Sequence, residues 1–154
     1  MLRDSTLRER FAHDGYVIVD AFQPAQIETL RAAYASTGEL DSLGFAPTIF
    51  SSDPAYRADV DRRIRAVLAP VVDEWIEGFR ICFCSWAVKQ PGRNDGALPL
   101  HQDISFVDDE RHISIGVWAP LIDVGPENGC LSVVRGTHAL HSTARTGPLP
   151  YGEL

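Results

Sequence analysis

The chain has 154 residues, 45% hydrophobic and 23% charged, the balance of one soluble globular domain. Fourteen Lys and Arg stand against 21 Asp and Glu, a net charge of −7, which argues against nucleic acid or an anionic membrane as partner, since both select a basic face. No apolar run approaches the roughly 20 residues that cross a bilayer, and the charged start MLRDSTLRERFAHDG has no apolar signal core, so the expectation is a cytoplasmic, single-domain protein over residues 1–154 that buries roughly 70% of its unfolded surface.

Residues 7–14, LRERFAHD, predict a short helix stopped by Gly15. YVIVDAF (16–22) is rich in β-branched and aromatic residues and predicts a strand. Pro24 opens a helix, PAQIETLRAAYAS, with Ile27, Leu30 and Tyr34 on one apolar face and Gly38 at its close. Residues 39–53 read as a loop with one short extended piece. Asp53 before Pro54 is an N-cap followed by proline at the first helical position. The helix it starts places Tyr56, Val60, Ile64, Val67 and Leu68 on one face. Pro70 should break or kink it, leaving VVDEWIEG as a second short helical piece.

From residue 79 the period changes. FRICFCSWAVK (79–89), LPLHQDISF (98–106), ISIGVWAPLIDV (113–124) and CLSVV (130–134) are strand candidates, separated by PGRNDG, VDDERH and GPENG, which carry turn chemistry. Helices followed by short strands between Gly/Pro turns fit an α+β chain whose β part is a sandwich or barrel. The three cysteines, Cys82, Cys84 and Cys130, make no disulfide framework. Cys82 and Cys84 would share one strand face as buried, reduced thiols. Trp75 and Trp86 read as core, His13 and His112 as surface, and Asp108, Asp109 and Glu110 as a solvated turn.

The chemistry centres on residues 101–103. On a strand, residues i and i+2 point to the same side, so His101 and Asp103 project together and Gln102 projects away. One imidazole and one carboxylate so placed supply two adjacent corners of an octahedron, and a third ligand would complete the two-His-one-carboxylate face of a non-haem iron centre. By itself His-x-Asp is a weak signal and more often describes a partly exposed polar strand end.

The surrounding order adds to this. His101-Gln102-Asp103, then Trp118-Ala119-Pro120-Leu121 with Asp123, then Asn128-Gly129-Cys130-Leu131 and Gly136-Thr137-His138 resemble the phytanoyl-CoA dioxygenase family of Fe(II)/2-oxoglutarate oxygenases. GYVIVDAF with the amphipathic helix after it, and VKQPG (88–92), resemble that family too. The resemblance implies a double-stranded β-helix (jelly-roll) core with the N-terminal helices packed on it. It implies Fe(II) held by His101 and Asp103, with 2-oxoglutarate and O2 as cosubstrates. It places Trp118 beside 2-oxoglutarate, with Lys89, or Ser85 on the same strand, at its border. The implied reaction oxidises an unactivated C–H bond of a small organic substrate and converts 2-oxoglutarate to succinate and CO2.

Two departures from the pattern stand out. Arg135 occupies the position before Gly136 where the family carries proline. The family's distal iron-ligating His, and the Arg that grips the far carboxylate of 2-oxoglutarate, are not found before Leu154. His138 matches the G-[ST]-H turn, whose His is not a ligand in the family, and His141 and Arg145 are the nearest stand-ins. The expectation is therefore the N-terminal portion of such an enzyme, incomplete or weakly active as this chain. The alternative is a non-catalytic jelly-roll-like interaction module whose open strand edges are completed by another chain, including a second copy.

Overall fold

Helix α1 (Ser5–Asp14) begins where Asp4 accepts the Leu7 amide at 2.8 Å and ends at Gly15, whose φ of 84° and N–H bond to the Phe11 carbonyl at 2.9 Å make a left-handed cap. The computed structural model describes residues 1–37, 44–93 and 96–140. A Cβ on Gly15 would come within 2.5 Å of the His138 ring. Gly15→Ala therefore should cost about 1–2 kcal/mol, through the positive φ and the displaced imidazole together, read as a lowered thermal midpoint.

Helix α2 (Pro24–Thr37) and the 22-residue helix α3 (Pro54–Trp75) pack on each other. Their predicted starts hold, while Gly38 lies outside the described residues. Asp53 caps α3, its carboxylate accepting the Ala55 and Tyr56 amides at 2.8 and 3.2 Å. Asp53→Ala should lower stability by about 1 kcal/mol in a urea titration.

Pro70 does not break α3, contrary to the expectation from its missing N–H, and VVDEW is the helix's last part, not a separate piece. The reason is tertiary. Val67 and Leu68 pack on the core before the proline, and Val71 is buried just after it. Residues 1–3 then tie the far end down: Leu2 bridges Ile76, the Arg3 amide donates to the Trp75 carbonyl at 2.9 Å, and Arg3 Nε donates to the Asp73 carbonyl at 3.0 Å.

Strands β1 (Phe45–Pro47) and β2 (Ala87–Lys89) pair antiparallel, Phe45 with Lys89 and Pro47 with Ala87. Thr48 N to the Trp86 carbonyl and Gln90 N to the Gly44 carbonyl, both 2.9 Å, continue the pairing past each end. The core lies between this sheet and the two long helices. Leu30, Val60, Ile64, Cys84 and Trp86 form its buried centre, with Phe22, Tyr34, Tyr56 and Val88 packed around it. Tyr34 meets Trp86 edge-on at 5.7 Å. Period-3.6 faces of α2 and α3 and the period-2 face of residues 84 and 86 meet there, as the sequence pattern requires.

The architecture among the described residues is α+β, with three helices and this small two-stranded sheet. The jelly-roll core expected from the resemblance is not formed there. Residues 16–22, 98–106, 113–124 and 130–134 carry no strand ladder, and 79–89 is strand only at its last three residues. Strand propensity becomes a strand only when a neighbour supplies the ladder, and among the described residues no such neighbour lies beside these segments. Their apolar residues stay outside: Leu100, Ile113 and Ile122 are 83%, 77% and 58% exposed. Of the two paired cysteines, only Cys84 is buried; Cys82 is exposed. Burial pushes the Cys84 thiol up to about 11, so it is an inert core group.

Candidate metal centre

The segment bearing His101 is held by a chain of contacts that starts on α3. Asp61 accepts from Arg65 through both carboxylate oxygens, at 2.8 and 2.9 Å, and from the Cys84 amide at 2.6 Å. Arg65 also donates to the Ile81 carbonyl at 2.9 Å. One ion pair thus fixes residues 81–84 against the helix. Phe83, next in the chain to Cys84, meets Phe106 edge-on with ring centroids 4.5 Å apart, and Phe106 ends the segment that carries the His-x-Asp pair.

Within that segment the side chains of His101 and Asp103 face each other, Nε2 to Oδ1 3.2 Å. His101 Nδ1 lies 2.7 Å from the Pro99 carbonyl. A carbonyl oxygen only accepts, so Nδ1 meets the Pro99 carbonyl as an N–H donor. An imidazole nitrogen and a carboxylate oxygen this close can share one metal ion between them. A ring N–H given to a backbone carbonyl is also the usual way a metal-binding imidazole is oriented. An octahedral ion with bonds of about 2.1 Å sets adjacent ligand atoms about 3.0 Å apart, close to the observed separation. The His101 side chain is 26% exposed and that of Asp103 84%, which leaves the outer side of the pair open to further ligands. These two residues fit two corners of an Fe(II) site.

The other candidates lie elsewhere. Lys89 Nζ donates to the Gly129 carbonyl at 3.2 Å. Ser85 Oγ receives the Ile49 amide and meets Thr48 Oγ1, both at 3.0 Å, stitching the strand to the turn at 48–50. Trp118 is 46% exposed. His141 and Arg145 lie outside the described residues. His138 gives Nε2 to the Ala12 carbonyl at 3.0 Å, and Arg135 pairs with Asp14 at 3.2 Å, so the residue replacing the family's proline ties the corner at 135–138 to α1. The Asp14 carboxyl is held below the usual carboxylate range by its bond to His13 and by Arg135. Among the described residues no three His, Cys, Asp or Glu side chains converge as a metal cluster, and no helix is long and apolar enough to cross a membrane. A cavity of about 330 Å³ between the first turns of α3 and residues 82–84 does not include His101 or Asp103. Sequence reasoning missed the Pro99 carbonyl as the imidazole's orienting partner; proline two positions before the histidine was the available signal.

No curated protein and no solved structure matches the chain. The sequence model of the phytanoyl-CoA dioxygenase family matches residues 11–153, a span that runs from α1 past the His101–Asp103 pair and the Gly136-Thr137-His138 turn. Enzymes of that family are oxygenases that use Fe(II), 2-oxoglutarate and O2. The chain belongs to the phytanoyl-CoA dioxygenase family.

Proposed function

We propose that this chain is an Fe(II)/2-oxoglutarate-dependent oxygenase acting on a small organic substrate, with His101 and Asp103 as metal ligands. The observation that carries the reading is the 3.2 Å approach of His101 Nε2 to Asp103 Oδ1 with Nδ1 anchored on the Pro99 carbonyl. Bound Fe(II) would supply the oxidising chemistry, using O2 and 2-oxoglutarate.

The protein's own part is positional. The bond from His101 Nδ1 to the Pro99 carbonyl holds the ring in one orientation, with Nε2 turned toward Asp103. Asp103 brings negative charge beside it. Trp118 would wall the cosubstrate side with an aromatic face. The bonds made by Lys89 and Ser85 support positioning roles, Lys89 holding the turn at 125–129 and Ser85 fixing the start of β2. With two protein ligands among the described residues, Fe(II) should bind weakly and turnover should be slow.

The test is an anaerobic Fe(II) titration with and without 2-oxoglutarate, followed by succinate measurement in air. Saturable binding, tightened by 2-oxoglutarate, is expected. Absence of both binding and Fe(II)-dependent succinate sinks the reading. A non-catalytic interaction module is the second reading, favoured by the apolar segments that have no ladder partner among the described residues.

A further inference from the structure

The cavity of about 330 Å³ between the first turns of α3 and residues 82–84 combines an apolar wall with one unengaged cation. Pro54, Arg57, Ala58 and Asp61 stand at i, i+3, i+4 and i+7, so α3 offers them on one face. Ile49 and Phe83 line the other side. That side is held in place: the Ile49 amide donates to Ser85 Oγ at 3.0 Å, and the Phe83 ring rests on Phe106. Of the lining residues, Pro54, Ala58 and Cys82 are exposed. The volume is at the lower end of the range for small-molecule pockets, roughly 300–1,000 Å³.

Most polar side chains of the lining are engaged within the chain. Thr48 Oγ1 meets Ser85 Oγ and accepts the Trp86 amide, each at 3.0 Å. Both Asp61 oxygens accept from Arg65, and one also accepts the Cys84 amide, so the charge of Asp61 is matched before any ligand arrives. Arg57 is different. A guanidinium carries five N–H donors. One of them, on Nη1 of Arg57, donates to the Ser51 carbonyl, and among the described residues the other four reach no acceptor.

A guanidinium with open donors beside an apolar wall selects the carboxylate of a small apolar acid, which takes two parallel bonds from such a fork. A phosphate dianion needs more donors than one partly engaged guanidinium supplies. A cationic ligand would meet the Arg57 charge with Asp61 already paired. A second carboxylate on the ligand would lie against Ile49, Pro54 or Phe83, an uncompensated charge on apolar surface. One carboxylate with an apolar body therefore fits, roughly ten non-hydrogen atoms in all at protein-like packing density.

We infer that this cavity binds a small monocarboxylic acid with an apolar body, its carboxylate held by Arg57. The probe is 3-phenylpropanoate on the whole chain, with 3-phenylpropanamide as its uncharged counterpart. Exposed Cys82 lines the cavity and buried Cys84 does not compete, so in a Cys130→Ser background the rate of Cys82 alkylation by iodoacetamide reads occupancy. The acid should slow alkylation saturably, with a Kd of about 1 mM. The amide should need about tenfold more or worse, because it forms no charge-assisted pair. Arg57→Gln should weaken protection by the acid about tenfold or more with the helical circular dichroism unchanged. Ala58→Leu keeps the guanidinium, fills the cavity from an exposed helix position and should abolish protection. If Arg57→Gln does not fold, the amide and Ala58→Leu decide. Absence of saturable protection overturns the inference. So does an amide that protects as well as the acid, or a folded variant protected like the wild type. Neither His101 nor Asp103 lines the cavity, so these results are separate from the Fe(II) titration.

Discussion

His101→Ala should weaken Fe(II) binding by about 100-fold or more, beyond the range that loss of an orienting partner alone produces. The substitution removes the one neutral nitrogen donor of the pair. What remains is Asp103, a carboxylate whose side chain is 84% exposed, and an isolated solvated carboxylate has little hold on a divalent ion. The substitution should leave the fold intact, because the imidazole's partners, Pro99 and Asp103, both lie within its own segment. Isothermal titration with Fe(II), or with Mn(II) as an air-stable substitute, reads the loss, and succinate formation should fall with it. Asp103→Asn should behave alike, since an amide keeps the shape and loses the charge. A variant that titrates like the wild type means that the metal is held elsewhere.

The second large effect is on stability. Asp61→Asn should lower the unfolding free energy at neutral pH by about 2–3 kcal/mol. The carboxylate accepts from Arg65 and from the Cys84 amide. An asparagine amide turns donors toward the guanidinium, leaving two half-buried donors poorly paired. The pH dependence follows from the same contacts. The Arg65 guanidinium holds the Asp61 carboxyl below its ordinary value. A carboxyl depressed in the folded state adds stability above its unfolded value, about 3.9, and that stability is lost as pH falls through the folded value. The wild-type chain should therefore lose stability more steeply than Asp61→Asn below about pH 4. Urea midpoints for both proteins at pH 7 and across the acid range measure the difference. Equal acid slopes would remove the ion pair as a source of that stability. Because Asp61 fixes residues 81–84, and Phe83 supports Phe106, the variant should also blur the metal titration, by less than His101→Ala.

The helical half was the more legible. Asp53-Pro54 and Gly15 mark a start and a stop by local backbone chemistry, and local chemistry needs no partner. The apolar faces of α2 and α3 named the residues that became core, because a 3.6-residue period selects one side of a helix wherever that side later packs. Asp61 and Arg65 lie four residues apart on α3, but nothing in that spacing marks them as the clamp on Cys84, which lies 23 residues away. Pro70 misled for the same reason: its cost is local, and what outweighs it comes from Leu2 and Arg3 at the other end of the chain. The strand half was read by propensity and alternation, and these state only what a segment could do beside a neighbour.

By itself the sequence determined the starts of α2 and α3, the stop of α1 at Gly15, most residues of the small core and the family to which the chain belongs. Each of these depends on spacing along the chain. Tertiary structure alone decided that β1 pairs with β2, that α3 runs through Pro70, that Lys89 and Ser85 serve as stitches, and that Arg135 and His138 dock on α1. Among the described residues it also leaves the apolar segments at 98–106, 113–124 and 130–134 without a ladder. Ladders, caps made from a distance and buried ion pairs join residues far apart in the chain, and no local pattern carries the identity of the partner.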